Sequence, residues 1–173
     1  MAFQLKSFLA NVHEPLVMHY RVNAGYIPPD HWVQDPEQGG GRIVGEICHF
    51  VDFLTFLNDS LPIRVNAKAL SNEGRYRDDN IVVTLEFNNG SLGTIAYVAS
   101  GDRSFSKERL EVFGGGASAT LDDFRRLELI RYGRKKVRKS RLRQDKGHQE
   151  ECKAFIAAVQ KGRALPIPSY ELV

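Results

Sequence analysis

Residues 81–99 read Ile-Val-Val-Thr-Leu-Glu-Phe-Asn-Asn-Gly-Ser-Leu-Gly-Thr-Ile-Ala-Tyr-Val-Ala. Large apolar residues occupy every second position from 81 to 87, and this period-2 alternation is typical of a strand with one buried face. The turn at residues 88–91 contains residue types that accept a positive φ. Residues 92–99 supply the returning strand. The segment therefore predicts an antiparallel β-hairpin.

Segments on both sides of this hairpin predict further strands, at residues 16–24, 63–69, 110–113, 117–121, 127–131 and 135–139. Apolar residues at three- and four-residue steps predict a helix over residues 42–57 and a closing helix over about 147–161. In the first of these helices the expected core-facing residues are Ile43, Ile47, Phe50, Leu54 and Leu57. A strand, a helix, a long run of hairpin-linked strands and a last helix predict an α+β fold. We expect a large, mostly antiparallel sheet with helices packed on one face.

Composition excludes several classes of protein. The chain has 173 residues, 42% of them hydrophobic and 26% charged, which is a globular mixture and not a disordered or fibrous one. With 24 basic and 21 acidic residues the net charge is +3, too small by itself to indicate nucleic-acid binding. No apolar run is long enough for a membrane span, and the N-terminus lacks a signal-peptide pattern, so we expect a cytoplasmic protein. The two cysteines and scattered histidines form no metal-ligand pattern, and we expect both Cys48 and Cys152 to be small core residues.

The polar face of the helix at 42–57 is the strongest candidate for chemistry. Arg42, Glu46 and His49 lie at positions i, i+4 and i+7, and Asp52 lies one turn beyond His49. An imidazole beside a carboxylate, near a glycine-rich entry to a helix, is typical of an acid/base site. Alternatively, His49 hydrogen-bonds Asp52 in a purely structural role.

The loop at residues 25–41 is longer than most structureless connections, and such loops are usually functional or disordered. It contains Tyr26 and Trp32, which form either an aromatic lid over a ligand or a hydrophobic plug. Its glycine run at 39–41 precedes the helix and could contact an anionic ligand. A second run at 114–116 lies between two strands and predicts a hairpin turn. Neither run has the strand–glycine–helix context of a dinucleotide fingerprint.

Residues 131–143 contain eight basic residues: Arg131, Arg134, Lys135, Lys136, Arg138, Lys139, Arg141 and Arg143. This segment is either a solvated edge hairpin, which its lysines protect from strand addition, or a nucleic-acid-binding surface. Tyr132 is its one aromatic residue, and this makes nucleic acid the weaker alternative.

The chain resembles the Gfo/Idh/MocA family of NAD(P)-dependent oxidoreductases. The resemblance rests on residues 20–25 (Tyr-Arg-Val-Asn-Ala-Gly), on Trp32, and on residues 39–52 with their Gly-Gly-Gly run and their His49-x-x-Asp52 helix. It continues through residues 85–91, 110–114, 119–122 and 165–168, and so covers nearly the whole chain. It implies that residues 1–173 are one α+β domain, the C-terminal domain of such an enzyme. Both ends of the chain suggest a fragment that lacks the Rossmann domain.

The resemblance implies a function for the whole enzyme and roles for individual residues. The expected function is that of a substrate-binding and oligomerisation domain, inactive alone, of an oxidoreductase that acts on a sugar, nucleotide-sugar or cyclitol hydroxyl. NAD or NADP would be bound by the absent Rossmann domain, and this chain would bind no cofactor and no metal. An open sheet face would pack against a second copy, which gives a homodimer. An alternative from another class is a non-catalytic carbohydrate- or nucleic-acid-binding module that uses residues 131–143.

We expect His49 to be the catalytic residue, with Glu46 either tuning it or binding a sugar hydroxyl. The substrate-binding candidates are Arg42, for an anionic group, together with Arg21, Asn23, Tyr26 and Trp32. The family often has an Asp four residues before the His, where this chain has Gly45. The Gly45-Glu46-x-Cys48-His49 form resembles a branch in which a zinc-type alcohol-dehydrogenase-like region precedes the oxidoreductase.

Overall fold

The computed structural model of the chain describes residues 1–71, 74–76, 78–140, 144 and 148–162. Its elements in chain order are α1 (Ala2–Leu9), β1 (Val17–Asn23), a 3₁₀ turn (Trp32–Gln34), a π-helical turn (Ile43–Ile47), α2 (Cys48–Asn58), β2 (Pro62–Ala69), β3 (Asn80–Phe87), β4 (Leu92–Val98), β5 (Glu108–Gly114), β6 (Ala117–Asp122), β7 (Arg126–Arg131), β8 (Arg134–Lys139) and α3 (His148–Gln160).

All eight strands form one sheet, in the order β2-β3-β4-β1-β5-β6-β7-β8. Neighbouring strands are antiparallel except for β1 and β4, which are parallel. The glycine run at 114–116 lies in the turn between β5 and β6, as expected. The predicted α+β fold with a large, mostly antiparallel sheet is confirmed.

One face of the sheet carries the core together with α1 and α2. The Tyr20 ring on β1 packs edge-on against Phe50 of α2, with 5.0 Å between ring centroids. Leu54 of α2 and Tyr97 of β4 have no exposed surface, and burying each large apolar side chain contributes about 1.5–3 kcal/mol. The opposite face carries the alternate residues of β1, β3, β4, β5 and β6, which are half-buried or exposed apart from the buried Asn23 and Asn80.

The helix predicted over residues 42–57 is present, but it begins with the π-helical turn Ile43–Ile47. A π turn adds one residue to a helical turn, which rotates the preceding residues by about 100° relative to an α-helix. Ile47 is therefore buried as expected, whereas Ile43 is 43% exposed. The expectation that Ile43 faces the core is wrong for this reason.

Other apolar residues also lie outside the core. Cys48 and Cys152 are exposed free thiols, so the expectation that both are core residues is wrong. Phe155, Ile156 and Val159 of α3 are more than half exposed, because the described part of α3 packs only lightly on the rest of the chain. No helix among the described residues combines the length and the apolar character needed to cross a membrane.

Candidate functional site

The candidate site lies where the helical segment begins, at the end of the sheet where β1 and β4 finish and β3 starts. Arg42, at the helix entry, reaches Asp79 just before β3. At the other end of the helix, Asn58 bonds to Asn89 in the β3–β4 turn. The helix thus spans the sheet from one end to the other. Glu46 and His49 lie on the half of the helix that is nearest the loop at residues 25–41.

Arg42 is a buried cation that joins three parts of the chain. Its Nη1 donates to the carbonyl oxygen of Gly25 at 2.7 Å, and its Nε donates to Oε1 of Glu46 at 3.1 Å. The Oδ2 atom of Asp79 lies 3.6 Å from Nη1. Only 2% of the Arg42 side chain and 1% of the Asp79 side chain are exposed. The guanidinium expected to hold an anionic ligand is therefore already paired with two carboxylates of the protein.

Two further side chains complete this buried cluster. The Arg42 guanidinium lies over the Tyr97 ring, 5.0 Å from its centroid. Gln34 of the 3₁₀ turn donates from Nε2 to Oδ2 of Asp79 at 3.3 Å. Burial and the nearby Glu46 carboxylate raise the pKa of Tyr97 well above its ordinary value, although Arg42 opposes the shift. Tyr97 therefore remains a neutral hydroxyl at physiological pH.

His49 lies one turn after Glu46 on α2 and is exposed, and Asp52 is exposed as well. No hydrogen bond joins His49 to Asp52, and within the described ranges the imidazole has no hydrogen-bond or ion-pair partner. The structural alternative for His49, a bond to Asp52, is thus not found. Its sequence neighbour Cys48 is engaged, because its thiol donates to the carbonyl oxygen of Val44 at 2.9 Å.

Arg21 and Asn23 lie on the opposite face of the sheet from His49. Alternation in β1 directs Tyr20 and Val22 toward α2, so the residues between and after them point away from it. Arg21 donates to the carbonyl oxygen and Oγ of Ser106, at 2.6 and 2.8 Å. Asn23 donates to the carbonyl oxygen of Asp102 at 2.6 Å. The structure therefore places both residues under the loop between β4 and β5 and does not bring them together with His49.

The two aromatic residues of the long loop have different environments. Tyr26 is half-buried, and its ring packs edge-on against Tyr76 with 5.8 Å between centroids. Trp32 is 61% exposed and lies beside the His31 ring at 5.9 Å. An exposed indole is not a hydrophobic plug of the described fold.

Sequence reasoning missed Asp79, Gln34 and Tyr97. Tyr97 is at an inward position of a predicted strand, so it was identifiable as a buried residue but not as a partner of Arg42. Asp79 directly precedes the apolar strand β3, and an acid in that place resembles an ordinary turn residue. The pairing of Asp79 with Arg42 depends on tertiary contacts that no local pattern predicts.

Neither a dinucleotide-binding unit nor a metal-ligand group is found among the described residues. The glycine runs at 39–41 and 114–116 lie in a long loop and in a β-hairpin turn, and a strand–glycine turn–helix unit of the dinucleotide type is not found in the described part of the chain. There, no three His, Cys, Asp or Glu residues group closely enough to hold a metal. Two surface cavities of about 240 and 230 Å³ lie on β5–β7 and beside α1, away from His49.

The fold matches solved oxidoreductases. Aldose–aldose oxidoreductase from Caulobacter crescentus, complexed with glycerol, aligns with a TM-score of 0.77 at 14% identity, over 96% of this chain and 52% of that one. UDP-N-acetylglucosamine 3-dehydrogenase from Acidithiobacillus ferrooxidans aligns with a TM-score of 0.72 at 18% identity, over 95% and 50%. An oxidoreductase from Agrobacterium radiobacter in complex with NAD⁺, L-tartaric acid and magnesium aligns with a TM-score of 0.70 at 14% identity, over 95% and 53%.

The chain thus spans about half the length of these structures. At these identities the likeness concerns the fold alone. No curated protein sequence matches the chain. The sequence model described as the GFO/IDH/MocA C-terminal domain matches residues 14–120, which is more than half of the chain. The chain therefore belongs to the GFO/IDH/MocA C-terminal domain family.

Proposed function

We propose that this chain is the substrate-binding and oligomerisation domain of an NAD(P)-dependent oxidoreductase, and that it is inactive alone. The substrate class is a sugar, nucleotide-sugar or cyclitol hydroxyl. The observation that carries the proposal is the family match together with the coverage of about half of each solved oxidoreductase. The names of the relatives, which include an aldose oxidoreductase and a nucleotide-sugar dehydrogenase, support the substrate class.

In this proposal His49 is the catalytic residue. Its imidazole is exposed and, among the described residues, unpaired, so it is free to contact a substrate hydroxyl. Removing a hydride from a carbinol carbon leaves a carbonyl once the hydroxyl proton has also departed, and a neutral imidazole accepts that proton. Alternatively, the imidazole donates a hydrogen bond that orients the hydroxyl. The cofactor that accepts the hydride belongs to another part of the intact protein.

Glu46 is the second polar group of the proposed site. Its Oε1 is held at 3.1 Å from Nε of Arg42, and its side chain is 28% exposed. A carboxylate fixed in this way can accept a hydrogen bond from a second substrate hydroxyl without first becoming ordered. In this proposal Arg42 is a positioning residue, which holds Glu46 and the start of the loop at residues 25–41 in place. Tyr26 and Trp32 supply the aromatic surface that is common in small-molecule sites.

We also place the chain in the branch that carries a zinc-type alcohol-dehydrogenase-like region ahead of the oxidoreductase. The support is the motif Gly45-Glu46-Ile47-Cys48-His49, in which glycine replaces the family's usual Asp. The amino-acid sequence upstream of this domain in the intact protein tests this assignment directly.

Calorimetric titration with NAD(H) and NADP(H) tests the cofactor part of the proposal. We expect no heat of binding attributable to a site tighter than about 1 mM, because the glycine runs of this chain lie outside any dinucleotide-binding unit. A longer protein that includes the Rossmann domain is the positive control. Micromolar binding to the 173-residue chain would contradict the proposal.

The open sheet face is the proposed homodimer interface. Val17 lies opposite both Leu92 and Phe113 in the strand register. These three side chains are 40%, 49% and 44% exposed, and they form an apolar patch across β4, β1 and β5. Contiguous exposed apolar patches often mark protein interfaces, and a symmetric pairing buries the same patch on both copies.

Light scattering coupled to size exclusion tests this interface. We expect the wild-type chain to be a dimer at high micromolar concentration and Leu92→Asp to shift it toward monomer. Val65→Asp is the matched control, since Val65 is equally apolar and 65% exposed but faces the other side of the sheet. A monomeric wild-type chain, or an equal effect of both substitutions, would show that the open face is not the dimer interface.

A further inference from the structure

We propose that β8 is a docking edge for an acidic, extended segment of a partner polypeptide, which adds to the sheet as a ninth strand. The observations that carry this inference are the position of β8, the direction of its free backbone groups and its unpaired cations. None of them depends on the proposed oxidoreductase activity.

Among the described residues, strand β8 is the last strand of the sheet and pairs only with β7. It reads Arg-Lys-Lys-Val-Arg-Lys from residue 134 to 139, and all six residues are exposed. A strand in this position presents a row of unpaired N–H and C=O groups along its outer side.

The β7–β8 turn determines which backbone groups are free. Tyr132 and Gly133 both have positive φ, at 52° and 70°, as in the two-residue turns that join adjacent antiparallel strands. Arg131 and Arg134 are therefore a hydrogen-bonded pair, and residues 136 and 138 also bond to β7. The N–H and C=O groups of residues 135, 137 and 139 point outward.

Most of the charge on β8 is unpaired. Lys135 contacts Oε1 of Glu128 at 2.5 Å, and its hydrogen bond lowers the pKa of that carboxyl. Arg134, Lys136, Arg138 and Lys139 have no acidic partner within the described ranges. Arg134, Lys136 and Arg138 share one face at intervals of about 7 Å, so their like charges repel one another.

Protection of an edge against self-association does not require so many charges. The opposite edge of the sheet, β2, has only two cations over eight residues, and one of them, Arg64, is paired with Glu86 at 2.8 Å. A few lysines suffice to protect an edge strand. The larger number of unpaired cations on β8 therefore favours a surface that binds an acidic partner. Protection from self-association alone would need fewer.

The geometry of strand addition specifies an acidic peptide as the occupant. A ninth strand would place its alternate side chains beside Arg134, Lys136 and Arg138 on one face and beside Lys135 and Lys139 on the other. Opposite charges in such pairs stabilise a sheet and like charges destabilise it. The same rule disfavours the β8 strand of a second copy.

Nucleic acid fits these observations less well. It cannot use the outward N–H and C=O groups as a strand ladder, and single strands also need aromatic stacking platforms. The described part of the hairpin has one aromatic residue, Tyr132, and the Arg131 guanidinium already lies 5.0 Å from the centroid of its ring. The cations also point to both faces of one strand instead of converging on one surface.

The test uses a labelled ten-residue peptide of alternating Glu and Thr, its Gln/Thr counterpart, and random duplex DNA, each titrated into the 173-residue chain. We expect fluorescence anisotropy to report binding of the Glu peptide only, weakening as salt rises. Amide hydrogen exchange should slow at residues 135, 137 and 139 and remain unchanged at 134, 136 and 138.

Two substitutions separate strand addition from simple charge attraction. Val137→Pro removes an outward N–H without changing the charge and should weaken peptide binding by at least about fivefold, whereas Val137→Ala should not. Lys136→Gln should weaken it similarly, whereas Lys68→Gln, an equal charge change on the opposite edge strand, should not. Any of four outcomes would overturn the proposal. They are binding of duplex DNA but not of the peptide, unchanged exchange at the outward amides, equal effects of the matched variants, and no binding of any probe. The last outcome makes β8 a solvated edge.

Discussion

In the intact protein, we expect His49→Ala to lower kcat of the proposed oxidoreductase reaction by at least about tenfold and to leave the fold unchanged, since loss of a general base commonly costs about 10²–10⁴-fold. The expectation rests on an exposed imidazole that has no protein partner among the described residues, one turn after a carboxylate held in place by Arg42. A side chain so placed contributes little to packing, so circular dichroism and thermal unfolding should match the wild type.

The variant His49→Gln distinguishes a base from a residue that only contacts substrate. A glutamine amide still forms hydrogen bonds but cannot take up the hydroxyl proton, so kcat of His49→Gln should fall about as far as that of His49→Ala if the imidazole is a base. Asp52→Asn is the control, because Asp52 is exposed on the same helix and makes no bond to His49. Normal turnover by His49→Ala would show that the imidazole has no catalytic role.

Replacing Arg42 with methionine should lower the free energy of unfolding by about 3–5 kcal/mol, because one member of a buried ion pair is left without its partner. The exposed fraction of the Asp79 side chain is 1%, so its carboxylate is out of contact with bulk water in the folded chain. The carbonyl oxygen of Gly25 would also lose its donor. Urea denaturation followed by far-ultraviolet circular dichroism measures the change.

Arg64→Met is the matched control for this prediction. The ion pair between Arg64 and Glu86 is shorter, at 2.8 Å, but the Arg64 side chain is 77% exposed, and exposed pairs contribute about 0–1 kcal/mol. In the Arg42→Met background, Asp79→Asn should recover part of the stability by removing the unpaired charge. Equal small losses for both arginine variants would mean that Arg42 is not the organising residue of the cluster.

The sheet could be predicted from sequence because its strands alternate with period 2, and β1 and β3 bury the expected apolar sets. The π turn could not, since it carries no residue signature and shows itself only through the exposure of Ile43. The separation of Arg21 and Asn23 from His49 was in part predictable. The alternation in β1 already placed Tyr20 on the other face, and the missing information was which face α2 covers. The Arg42–Asp79 pair joins residues far apart in sequence, and only the folded chain brings them together.

The single parallel pairing in the sheet has a consequence for how the chain folds. Strands β2 to β4, and likewise β5 to β8, follow one another in sequence and can pair through local contacts. Strand β1, in contrast, pairs with β4 about 75 residues away and with β5 about 90 residues away. Closing such long loops costs entropy before any contact repays it, and non-local pairing slows folding. Insertion of β1 between two preformed meanders is thus the expected late step. Until it occurs, β4 and β5 each present an open edge, which makes the half-assembled sheet the species most prone to aggregate.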